Sequence, residues 1–246
     1  MSTAIYIFCV LTIVLLTFFL IAGMNYTLRR AYLAMKADMA KQRKMLKLVS
    51  SGLALWLLIT MVLSLGGYYS NFKYTPPRIF FVGLLPTLLV IIALLFSKQF
   101  AQILRYVPPK WLILIQSFRI IMEIMLWLAF VGDLIPFQMT FLGFNMDIIA
   151  GITAFFAAKI FFRKGRFFKI ETVLWNVFGI LLLVNILFVT TVSTPSPFRV
   201  FMNEPSSAII GSFPFIWIPT FIVPYALAMH LFSIRQVFIK ELRPFD

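Results

Sequence analysis

The sequence predicts an all-α membrane protein, a bundle of seven transmembrane helices with its N-terminus outside and its C-terminus in the cytoplasm. Three observations carry this. Of 246 residues, 62% are hydrophobic and only 12% charged, whereas soluble domains run at about 45–50% apolar and about 25% charged. The apolar residues fall in long blocks, and about 20 apolar residues in a row span the hydrocarbon of a bilayer. Lys and Arg gather in alternate connections, as they do in cytoplasmic loops. The net charge of +14 is thus an expression of topology, and the sequence shows no soluble basic face for nucleic acid. The lone cysteine, Cys9, excludes an internal disulfide.

The spans are predicted at residues 3–23, 48–67, 79–97, 111–134, 146–162, 172–193 and 208–238, and together they form a single transmembrane domain. The first reads as an uncleaved helix, because no basic residue precedes it, several follow it, and no small-residue cleavage site closes it. Residues 24–47 carry Arg29, Arg30, Lys36, Lys41, Arg43, Lys44 and Lys47 against one acid, Asp38. They read as a basic cytoplasmic loop or interfacial helix, with anionic lipid heads as a partner. Tyr68, Tyr69 and Tyr74 after the second span suit the membrane boundary. Gly83 and Pro86 mark a kink in the third.

The fourth span leads into GDLIPFQMTFLGFNMD, a connection without Lys or Arg that is expected to fold over the mouth of the bundle. Asn145 and Asp147 read there as the cap and dipole partner of the fifth helix. That helix carries Ala150, Gly151, Ala154, Ala157 and Ala158, a small-residue face for close packing. Lys159, Arg163, Lys164, Arg166 and Lys169 return the chain to the cytoplasmic side, as do Arg235, Lys240 and Arg243 at the end. The seventh span is interrupted by Pro214, Pro219 and Pro224. Such interruptions loosen a helix and recur where helices line transport sites.

The candidate site begins on the fourth span, with Gln116, Arg119 and Glu123. Arg119 and Glu123 lie four residues apart and fall on one helix face about 6 Å apart in height, which predicts that they pair. A charge at membrane depth costs about 2.5–3.5 kcal/mol on insertion scales, so the stripe must turn inward. Depth counting places Asn185 of the sixth span near Glu123, and His230, the only histidine, in the layer of Arg119, with Trp217 on the loosened helix opposite.

Two readings follow. In the first, Gln116, Arg119, Glu123, Asn185, Trp217 and His230 build a site where a small polar or anionic ligand or a proton is bound or moved. In the second, the polar pair only orients helices, and the basic cytoplasmic face binds a protein or anionic lipid. Neither a metal cluster, a Ser/His/Asp set nor a phosphate loop is present, so no enzyme activity and no cofactor are expected.

The segments QSFRIIMEIMLW, MTFLGFNMDIIAGITA and FPFIWIPTFIVPYALAMHLFSIRQ resemble those of bacterial multi-pass inner-membrane proteins of no assigned activity. The resemblance covers the C-terminal half. It implies a bacterial inner membrane and carries no ligand or site residue with it.

Overall fold

In the computed structural model, which describes residues 3–74, 77–163 and 167–239, the chain is all-helical among the described residues. Six helices are long and apolar enough to cross a membrane. These are α1 (Thr3–Ala34), α2 (Met39–Leu65), α3 (Ile79–Phe96), α5 (Pro109–Val131), α7 (Lys169–Ser193) and α8 (Ile218–Val237). Between them lie a short α4 (Lys98–Leu104) and α6 (Ile148–Ile160). Helices α5 and α8 are the most enclosed, and α2 and α3 the least. Outward residues such as Leu15, Phe18, Phe19, Leu65 and Phe96 are large and apolar, as a lipid-facing surface requires.

Residues 24–47 form neither a loop nor a separate interfacial helix. They are the continuations of α1 and α2, joined by a short turn through Lys36, whose φ is 51°. At 32 residues α1 is about 48 Å long, well beyond the roughly 30 Å hydrocarbon thickness. The seven basic residues of this hairpin are all exposed. Lys164, Arg166, Lys240 and Arg243 lie outside the described residues.

Helices α3 and α8 each open in a wide π turn, at Ile79–Leu84 and Ile218–Ile222. The cause is proline. Pro224 has no N–H to offer the Thr220 carbonyl four residues back, and the Trp56 indole donates to that carbonyl at 3.0 Å instead. The two π turns meet where Gly83 leaves space, since a Cβ there would lie 2.7 Å from Thr220 Cγ2. The last predicted span is accordingly shorter than 208–238. Residues 207–217 form a 3-10 turn at Ser207–Gly211 and further turns around Pro214. Gly211 presses on the Tyr69 carbonyl, and Ser64 Oγ donates to the Gly211 carbonyl at 2.8 Å.

The sharpest departure from the sequence reading concerns residues 132–160. The connection after α5 does not lie over the bundle mouth but runs back along α5, with Phe137 against Phe130 and Phe141 against Trp127. Its Leu134, Ile135, Gln138, Met139, Thr140 and Asn145 are buried. Helix α6 then starts beside the middle of α5, where Gly151 lets its backbone come against Ile120. Its 13 residues measure about 20 Å. A largely irregular segment with a 3-10 turn at Phe137–Met139 and a half-length helix thus share the length of one full helix. The small-residue face is realised, with Ala150, Gly151, Ala154 and Ala157 buried and Ala158 only half-buried.

Candidate functional site

Arg119 is 1% exposed in the middle of α5. Its acid is not Glu123. Nε donates to Asp147 Oδ2 at 2.6 Å, and Nη2 donates to Asp147 Oδ1. Nη1 lies 3.0 Å from His230 Nε2, and Nη2 reaches the Gly179 carbonyl at 3.4 Å. These contacts occupy four of the five N–H donors of a guanidinium. A fork-to-fork pair is the strongest geometry open to an arginine. It also neutralises Asp147, which would otherwise be a buried, uncompensated charge at the head of α6.

Arginine has no acceptor, so His230 Nε2 must accept, and the imidazole is neutral with its proton on Nδ1. That proton goes to Asn176 Oδ1 at 2.9 Å, while Asn176 Nδ2 donates to the Thr172 carbonyl at 2.7 Å and to Ser233 Oγ at 2.9 Å. The ring fits because residue 179 is glycine. A Cβ at that position would sit 2.2 Å from His230 Cε1.

Glu123, 2% exposed, has no ionic partner within the ion-pair distance among the described residues. Both of its oxygens accept from Asn145 Nδ2 at 2.8 Å. The same amide nitrogen donates to the Met139 carbonyl at 3.1 Å, and Asn145 Oδ1 accepts from the Asp147 N–H at 3.1 Å. Asn145 therefore does not cap α6, whose N-cap is Asp147; it accepts from the N–H just before the helix and grips the carboxylate, tying the end of the re-entrant segment to α5. Glu123, Arg119 and Asp147 face a cavity of about 40 Å3 whose other walls are apolar, among them Leu126, Leu183 and Ile222.

Of the residues predicted for the site, Arg119, Glu123 and His230 come together, the first two around the cavity and His230 behind Arg119. Gln116 lies just below and turns away, with Nε2 donating to the Ala226 carbonyl at 2.9 Å and Oε1 without a partner. Asn185 does not meet Glu123. Its Nδ2 donates to the Phe144 carbonyl at 2.6 Å and holds the re-entrant segment from outside. Trp217 is also absent from the cavity, because the turns before α8 swing its indole toward α2, where Nε1 donates to the Leu57 carbonyl at 3.3 Å.

Missed from sequence were Asp147 as ion-pair partner, Asn145 as carboxylate ligand, and Asn176 and Gly179 as the setting of His230. One signal was available, an acid in a long apolar connection that contains no Lys or Arg. Such an acid must find its cation elsewhere once buried.

No groups of three or more His, Cys, Asp or Glu suited to a metal ion occur among the described residues. No curated protein and no solved structure matches the chain. A family model matches residues 76–238, a stretch that contains every residue around the cavity. By that match the chain belongs to the family described as a domain of unknown function, DUF8737.

Proposed function

We propose that this protein binds or moves a small polar or charged ligand, or a proton, at an intramembrane site formed by Glu123, Arg119 and Asp147. The supporting observation is the meeting, beside the middle of α5, of a partly buried, largely irregular segment and the start of half-length α6 at three ionisable side chains. Irregular backbone at membrane depth is tolerated where protein encloses it or it lines a cavity, and discontinuous helices of this kind form the sites of many transporters. In this reading α6 completes a seventh crossing, with the N-terminus outside and the C-terminus in the cytoplasm of a bacterial cell. The charge distribution supports that orientation, since Lys73, Arg78 and Arg199 are the only Lys or Arg assigned to outside connections.

The experiment is flux in proteoliposomes, with a pH-sensitive dye inside and candidate solutes outside. Wild-type protein is expected to carry flux that Glu123→Gln abolishes while the melting temperature is retained. Liposomes no leakier than protein-free controls, under every gradient tried, would remove the transport reading.

A second reading rests on a different observation. Arg29, Arg30, Lys36, Lys41, Arg43, Lys44 and Lys47 form no ion pair among the described residues, and they crowd the projecting α1–α2 hairpin. A protein or anionic lipid partner would supply the missing negative charge. Neutralising Lys41, Arg43 and Lys44 together should then weaken binding to anionic vesicles and leave flux intact.

A further inference from the structure

We infer that the ligand of the Glu123 site is a proton, taken up by the Glu123 carboxylate together with one bound water. The inference rests on the reading of this cavity as the functional site, and it proceeds by what the walls admit. A volume of about 40 Å3 has room for water, since about 10–15 Å3 of such space suffices for one molecule. Sugars, amino acids and other organic solutes do not fit.

An inorganic anion would face two carboxylates. The one cation in the wall, Arg119, has already committed its N–H groups to Asp147, His230 and the Gly179 carbonyl. A metal cation needs several convergent oxygens. Here Asp147 is closed off by the guanidinium, and the lining from α7 and α8 is apolar: Leu183, Ile186, Ile218, Ile222, Val223 and Ala226. A proton needs only a carboxylate with unused lone pairs and a water to deliver it. Glu123 offers that, since a single amide nitrogen bonds its two oxygens and a carboxylate has about four acceptor positions.

The surrounding charges make this exchange self-contained. From α5 the neighbour is Arg119, from the head of α6 Asp147, and from α8 His230 behind Arg119. Helix α1 brings Cys9, whose thiol is directed at the Met125 carbonyl on α5 at 3.8 Å, and α7 brings no ionisable group to the cavity. Arg119 and Asp147 cancel, and His230 is held neutral by its two partners. Uptake converts the carboxylate and a hydronium ion into a carboxylic acid and water, and takes the site from one net negative charge to none.

The test is infrared difference spectroscopy on the purified full chain in lipid nanodiscs, with the pH stepped and choline as the only other cation. A carboxylic acid carbonyl band should appear on acidification, vanish in Glu123→Gln, and change frequency in both Glu123→Asp and Asn145→Ala. Sodium or potassium in place of choline should leave its midpoint unchanged. The proposal is overturned if no band depends on residue 123 while the protein stays folded, or if an alkali cation displaces the midpoint. Glu123→Asp serves if Glu123→Gln does not fold. The flux assay fails or succeeds independently: flux without the band rejects the proton alone, and the band without flux rejects transport alone.

Discussion

Arg119 and Asp147, 28 residues apart in sequence, form a two-point ion pair that joins the middle of α5 to the N-cap of α6. Removing one partner strands the other charge in the protein interior, and broken buried pairs cost about 3–5 kcal/mol. Arg119→Met and Asp147→Leu should therefore each lower the thermal midpoint strongly. The combined Arg119→Met, Asp147→Leu protein should recover much of the loss, because an apolar replacement of a whole buried pair is often near neutral. Thermal unfolding of all four proteins in one detergent gives the coupling energy, and a double variant as unstable as the sum of the singles would contradict the pairing.

Gly179 is required by His230. Its alanine variant places a methyl group 2.2 Å from His230 Cε1, and overpacking of this kind costs about 1–3 kcal/mol. Adding His230→Ala frees the space, so Gly179→Ala should be less harmful in that background than in the wild type. Equal penalties in both backgrounds would show that the methyl group clashes elsewhere.

Gln138 and Asn203 exchange two amide hydrogen bonds, at 3.1 and 3.0 Å, and Gln138 also donates to Ser193 Oγ at 3.0 Å. This clasp fastens the re-entrant segment to the connection before α8. Asn203→Ala removes the exposed half and should raise amide exchange across residues 134–145 about 5- to 30-fold, the equivalent of about 1–2 kcal/mol. Exchange within α1 and α2 should not change, which separates local release from general destabilisation.

Tyr69, in the connection between α2 and α3, is 1% exposed, and its hydroxyl has no partner among the described residues. Burial, with a smaller contribution from Tyr68, pushes its phenol up to about 12 from 10. The folded state therefore holds this proton after the unfolded chain has begun to release it. The stability this gives is fully present below about pH 10 and is lost as the pH rises through about 12. Tyr69→Phe should flatten that alkaline decline and, by deleting an unpartnered buried hydroxyl, stabilise the protein by about 1 kcal/mol at neutral pH. Melting temperatures between pH 7 and 12 provide the check.

The sequence carried the membrane class, six of the seven predicted spans as long apolar helices, and the inward polar stripe, because hydropathy and helical period are local properties. It also placed His230 and Arg119 in one layer by residue counting. It misassigned the partner of Arg119 because the i, i+4 rule sees only neighbours on one helix. Asp147 carries the greater need, since it would otherwise be buried without a cation, and Glu123 is served by the neutral Asn145. That competition exists only once residues 132–147 have folded back along α5, and no periodicity reports such a return. Asn185 and Trp217 were displaced for the same reason: their direction depended on the re-entrant segment and on turns around Pro214.

The half-length of α6 bears on how the chain enters the bilayer. Its 13 residues, about 20 Å, fall short of the roughly 20 residues by which a segment is inserted on its own account. Asp147 at its head and Arg119 and Glu123 in α5 each oppose insertion when alone. Delivered together, α5 and α6 present the translocon with a helical pair in which Arg119 and Asp147 already cancel and only Glu123 remains uncompensated. The ion pair is then a feature of biogenesis as well as of the finished bundle, and its loss would register first as failed membrane integration during synthesis.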